Sequence, residues 1–216
     1  MDEELVNINN DLNKEKFFIF YKKNKKKIVI FFLICFIIFF SFVFYKYSLN
    51  TKRSKLAENY IRATLQVKSD QKEQAIINLK EIINSNEPTY SSLALFFLIE
   101  ENLVTDNEEI LKFYNHLISN NKFDTEMKNI LIYKKALALF EKFSENEMAE
   151  TLKPIINSNS VLKSQALILL GDFFIYKGNY IKAKDTYSTI LLDKREKKFY
   201  KSLAQKKIKK INGKIN

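Results

Sequence analysis

Residues 28–45, IVIFFLICFIIFFSFVFY, form an apolar run of eighteen residues without a charge, a proline or a glycine, and Ser41 is its only small hydroxyl. A helix of that length rises about 27 Å, close to the roughly 30 Å hydrocarbon core of a bilayer. The run is apolar on every side, whereas a helix packed in a water-soluble core normally shows a polar face at a 3.6-residue period. The stretch therefore reads as a transmembrane helix.

Its flanks carry the orientation. Lys22, Lys23, Lys25, Lys26 and Lys27 crowd one end, while Lys46, Lys52, Arg53 and Lys55 are fewer and more spread on the other. Positive charge collects on the cytoplasmic side, so the bias places the N-terminus inside and the C-terminal body outside. Tyr21 on one flank and Tyr45 and Tyr47 on the other suit the interfacial aromatic belts. A cleavable signal peptide is the competing reading. Its pattern fits poorly, because the leader runs 27 residues and Tyr45-Lys46-Tyr47 offers no small-residue cleavage site. The expected organisation is a basic cytoplasmic leader over 1–27, a transmembrane helix over 28–45 and an exported domain over 46–216.

Net charge is +11, and its distribution matters more than its total. Residues 1–45 hold seven lysines against five acids, and residues 46–193 hold nineteen basic groups against nineteen acidic ones. Residues 194–216 hold ten basic groups against Glu196 alone. The single cysteine, Cys35, lies inside the apolar run, so the exported body is held together by its core rather than by disulfides. Three glycines and two prolines in 216 residues point to an all-α body.

The apolar helix has no breaker before Lys68 and is expected to continue as the first helix of the body. Asp70 and Glu73 have capping-box spacing, as do Asp106 with Glu109 and Ser144 with Glu147. Between them, Ala75, Ile76, Leu79, Ile82 and Ile83 line one helical face, as do Ile110, Leu111, Tyr114, Leu117 and Ile118. Asn84 to Pro88 is expected to end the second helix and Thr89 to begin the third. Asp124 is expected to cap the fifth and Ser160 to open the seventh. Gly178-Asn179 closes the seventh, an eighth runs to about Leu192, and a ninth fills the tail. Short polar turns between these helices give an antiparallel stack.

The clearest unit lies in Ala166 to Leu192. Leu167, Leu170, Gly171 and Phe174 mark its first helix, Gly178 the turn, and Ala183 and Tyr187 the second. Small residues at Gly171 and Ala183 let two helices cross, with Phe174 and Tyr187 filling the space to the next pair. This spacing resembles the tetratricopeptide repeat, less its final proline, where Arg195 stands. Stepping back 34 residues, the length of that repeat, sets Ala149 against Ala183, Ser144 against Gly178 and Leu137 against Gly171. Earlier units keep the two-helix plan and lose the motif residues. An irregular helical bundle is the alternative.

Over nearly its full length the chain resembles the YfgM family of bacterial inner-membrane proteins. The resemblance rests on Tyr21 to Lys27 leading into the span, Thr89-Tyr90-Ser91-Ser92-Leu93-Ala94, Ala166 to Ala183, and the Lys207-Ile208-Lys209-Lys210-Ile211-Asn212 end. It implies a single-pass inner-membrane protein with a cytoplasmic N-terminus and a periplasmic tetratricopeptide-like helical-repeat domain. It also implies a role ancillary to the Sec translocon and periplasmic chaperones, with translocon, chaperone or exported substrates as protein partners. The residues themselves leave open an assembly factor or structural subunit of a cell-envelope complex.

Catalytic chemistry is poorly provided for. His116 is the only histidine, and no cysteine outside the apolar run pairs with it. Glu100-Glu101 and Glu108-Glu109 read as solvated helix ends rather than metal ligands. Three glycines build no phosphate loop. No enzyme, cofactor or metal is expected. In the tail, Tyr200, Ala204, Ile208, Ile211 and Ile215 form a narrow stripe ringed by lysines. That pattern suits a capping helix, with anionic headgroups or an acidic partner as the functional alternative. Nucleic acid is not expected, for want of interleaved stacking aromatics.

Overall fold

The computed structural model describes the backbone of residues 2–120, 122–195 and 197–215, with side chains for 22–27, 29–120, 122–195 and 197–213. The side chains of Phe17, Phe18, Phe20, Tyr21, Ile28 and Ile215 lie outside the described residues, as do Asn121 and Glu196 entirely. Among the described residues all regular structure is helical, in nine helices. These are α1 Asp2–Lys68, α2 Lys72–Asn84, α3 Pro88–Glu100, α4 Asn107–Ser119, α5 Thr125–Ala138, α6 Glu145–Ile156, α7 Lys163–Tyr176, α8 Tyr180–Leu192 and α9 Lys198–Ile215. The chain divides into two compact units, Met1–Lys55 and Leu56–Asn216.

In the first unit the helical backbone begins at Asp2. Its large apolar side chains from Val29 to Tyr47 are exposed, Phe44 to 74%. Lys22–Lys68 of α1 is the one helix among the described residues long and apolar enough to cross a membrane.

The second unit is built by helices packing on their chain neighbours, α2 on α3 and so on through α8 on α9. The last turns of α1 join it through buried Ala63 and half-buried Leu56 and Tyr60. Each helix contributes a buried stripe, such as Ala75, Leu79, Ile82 and Ile83 on α2 or Met148, Leu152 and Ile155 on α6. The tail stripe behaves alike: Ala204 and Ile211 are buried and Tyr200 and Ile208 pack beside them.

Helix ends depart from the sequence reading in several places. Asp70 is not an N-cap; it adopts a left-handed conformation, φ 63°, at the end of α1. The Gln71 N–H donates to Gln66 O at 2.9 Å, the six-to-one closure of a Schellman turn. Asn102, φ 52°, closes α3 in the same way, with Leu103 N–H on Leu98 O at 2.9 Å. Asp106 caps α4, but through Glu108 N–H at 3.0 Å, so no capping box forms with Glu109. Ser144 and Glu147 do form one. Asp124 caps α5 by accepting from Met127 N–H at 2.8 Å. Pro88 begins α3 instead of ending α2, since its missing N–H is harmless at a first helical position. Ser160 opens the turn before α7 rather than the helix, because its Oγ accepts from Leu162 N–H at 3.2 Å and the helix starts at Lys163.

Candidate protein-interaction surface

Gly171 sits on α7 directly under the Tyr187 ring of α8. A Cβ built at Gly171 would stand 2.4 Å from Tyr187 Cε1, so the glycine makes room for a ring rather than only for a helix crossing. Tyr187 and Ala183 are fully buried, and Leu167, Leu170 and Phe174 are buried beside them. Gly178, φ 78°, takes the left-handed position after α7, with Asn179 N–H on Phe174 O at 2.7 Å. Asn179 then caps α8 by accepting from Lys182 N–H at 3.2 Å.

The Tyr187 hydroxyl donates to Asp172 Oδ1 at 2.6 Å, and Lys207 Nζ of α9 donates to the same oxygen at 2.5 Å. Burial and the Asp172 carboxylate together push the Tyr187 phenol well above its ordinary range. Burial raises the Tyr133 phenol of α5, and Tyr200 and Asp172 raise it further. The repeat spacing pointed to Gly171 and Tyr187 but not to Asp172 or Lys207, whose partnership crosses from one pair to the closing helix.

Successive pairs are joined by polar contacts between residues 34 apart. Asn120 Nδ2 donates to Asn86 Oδ1 at 3.1 Å, Ser160 Oγ to Glu126 Oε2 at 2.8 Å, and Asn179 Nδ2 to both Glu145 oxygens at 3.3 Å. Glu100 meets Lys134, also 34 further on, at 3.6 Å. The Lys182 ammonium, 2.7 Å from Glu145 Oε2, holds that carboxyl below the usual range, with the Asn179 amide adding to it. Glu109 pairs with Lys80 at 2.6 Å. The helix caps show a register one residue longer for the last two pairs, since Ser144 and Asn179 occupy the same position. Carried back by that step, Tyr187 and Ala183 fall on Leu152 and Met148, both fully buried, whereas Ala149 is only partly covered.

Two grooves open between alternate helices. One, of about 220 Å³, lies between α3 and α5 and is lined by Phe96, Ile99, Glu100, Tyr114, Lys134 and Leu137. The other, of about 280 Å³, lies between α7 and α9 and includes Asp172, Tyr176, Tyr180, Lys207 and Lys210. Between them stands an aromatic cluster in which Phe140 meets Phe173 at 5.2 Å and Tyr176 at 5.4 Å. Lys177 lies 5.2 Å from the Phe173 ring centroid and 5.3 Å from that of Tyr176. Phe173 is fully buried, whereas Phe96, Phe140 and Tyr180 are half-buried and Tyr176 is exposed, and such aromatics beside lysines are suited to holding a polypeptide. His116 is exposed on the last turn of α4, and no group of three metal-ligating side chains occurs among the described residues.

In the first unit Lys22, Lys23, Lys25, Lys26 and Lys27 are exposed on one side of the apolar run and Tyr45 and Tyr47 on the other. Lys46 leans 5.4 Å from the Phe42 ring centroid.

Paired antiparallel helices joined in sequence, with grooves between alternate members, define a helical-repeat protein of the kind that binds other proteins. The model of the tetratricopeptide repeat-like domain family matches residues 19–213, and the chain belongs to that family. Such domains are typically non-catalytic modules for protein–protein interaction, so this chain is a protein-interaction scaffold. No curated protein and no solved structure matches it.

Proposed function

We propose that the chain is a single-pass bacterial inner-membrane protein of YfgM type. Residues 1–27 form its cytoplasmic leader, 28–45 its span and 46–216 a periplasmic repeat domain. The domain holds exported proteins, or a chaperone that handles them, beside the Sec translocon. The observation that carries the reading is an apolar stretch of bilayer length, unburied by protein, in the same chain as a repeat body with open aromatic grooves. Tethering raises the local concentration of the body at the membrane, so weak groove contacts suffice. The lysine cluster of residues 22–27 supports the inward N-terminus.

Reporter fusions at each end test the orientation: an export-dependent reporter is expected to be active only at the C-terminus. A photo-crosslinking residue placed at Leu137 or Tyr176 tests the partner. Adducts with translocon components, periplasmic chaperones or exported chains are expected. A stoichiometric adduct with one subunit of an envelope machine would instead make the chain an assembly factor or structural subunit.

A further inference from the structure

The body carries three strongly exposed apolar side chains at one edge. Among its large hydrophobics, Leu192 at 80%, Val161 at 79% and Phe199 at 68% are, with Ile181, the most exposed. Val161 lies in the turn before α7, while Leu192 and Phe199 flank the turn between α8 and α9. Lys163 Nζ approaches Asp193 Oδ2 at 4.0 Å, which sets the two turns side by side.

Charge around these tips is predominantly positive, with the exposed Glu126 carboxylate accepting from Ser160 Oγ at 2.8 Å beside Val161. Lys194, Arg195 and Lys198 are exposed there. The acid within the described turn is Asp193, whose carboxyl accepts from the Arg195 backbone N–H at 2.9 Å. Lys163 and Lys201 add their charge to Arg195's at that carboxylate, and by sequence Glu196 is the only other acid of the turn.

Lysines alone would suit any polyanion. Apolar tips projecting among them need an apolar phase directly beneath the negative charge, and a bilayer surface presents that layering. An acidic protein or a nucleic acid would satisfy the cations and leave Leu192 and Phe199 in water.

We propose that this edge is a peripheral docking surface for bilayers containing anionic phospholipid. Lys194, Lys198 and their neighbours meet the headgroups while Val161, Leu192 and Phe199 enter the interface. The proposal rests on the reading of the chain as a membrane protein, and the test separates the two.

The chain contains no tryptophan, so Phe199→Trp places a lone fluorophore at the edge of the full-length protein. The variant is reconstituted into nanodiscs of phosphatidylcholine alone or with phosphatidylglycerol. With phosphatidylglycerol, blue-shifted emission and quenching by brominated acyl chains are expected, both reversed near 0.5 M salt, where screening shortens to a few ångströms. Adding Lys194→Glu, Lys198→Glu and Lys201→Glu is expected to weaken lipid association by roughly a hundredfold or more, because each cation at an anionic surface contributes a factor of about five. Emission identical in the two lipids, or a shift given by soluble polyglutamate and not by phosphatidylglycerol, would overturn the proposal. Failure to enter either nanodisc would overturn the anchor instead. The response of the same fluorophore to added phosphatidylglycerol vesicles would then still decide the edge.

Discussion

Two glycines of one helix pair are held for different physical reasons, and alanine separates them. At Gly171 the obstacle is packing: a Cβ would meet the buried Tyr187 ring at 2.4 Å. Gly171→Ala is expected to lower stability by about 1–3 kcal/mol as an overpacked site, read from urea unfolding. At Gly178 nothing stands within 4 Å, and the obstacle is φ 78° alone. Gly178→Ala is expected to cost about 1 kcal/mol, and Gly178→Asn less, since asparagine tolerates the left-handed region. Tyr187 makes a second residue-scale expectation. Its phenol and that of Tyr114 are both raised, first by burial and then by Asp172 and Glu100 respectively. Above pH 10 the unfolded tyrosines lose protons that the folded ones keep. Stability is therefore full below that pH and falls above it, by about 1.4 kcal/mol per pH unit for each such tyrosine. Alkaline titration of unfolding is expected to show the decline, and Tyr187→Phe to reduce its slope.

Helix ends decide how much of the architecture can be read from the chain. Asn179 caps α8 and reaches Glu145 of α6, so Asn179→Ala removes a cap and a link between pairs at once. A loss of about 1–2 kcal/mol is expected, more than for Ser144→Ala, whose capping box stays within α6; chemical denaturation of the two variants checks the order. The helices themselves were legible, because buried stripes such as Ile110, Tyr114 and Leu117 recur at helical spacing. Turn chemistry was less so. Aspartate and asparagine serve both as N-caps and in the left-handed position, and a chain with three glycines closes α1 and α3 with Asp70 and Asn102. Residue type alone gives Asp70 either role; the backbone chooses one. The Gly171–Tyr187 unit was legible as a motif. The anchoring of Asp172 by Lys207 was not, because no repeat rule links α7 to a closing helix. The serines of Thr89 to Ala94 show a similar limit. Ser91 Oγ donates to Ile82 O at 2.9 Å, fastening the end of α2 to the start of α3, while Ser92 Oγ donates to Pro88 O at 2.9 Å within α3.

Across the body, each helix packs chiefly on the one before and the one after it, so stability is transmitted from pair to pair and not through a common centre. A stack of this kind opens from its ends. Ile211 of α9 is buried, and Lys207 ties that helix to Asp172, yet neither reaches α2, α3 or α4. Ile211→Asp is therefore expected to raise amide hydrogen exchange through α7, α8 and α9 while leaving α2 to α4 at their original rates. An irregular bundle with one shared core would speed exchange in every helix together, and that result would overturn the nearest-neighbour account. The same independence bears on binding. The groove between α3 and α5 and the one between α7 and α9 share no helix, so a segment placed in one is expected to leave the other unchanged. Exchange measured with a peptide crosslinked at Leu137 is accordingly expected to slow in α3 to α5 alone.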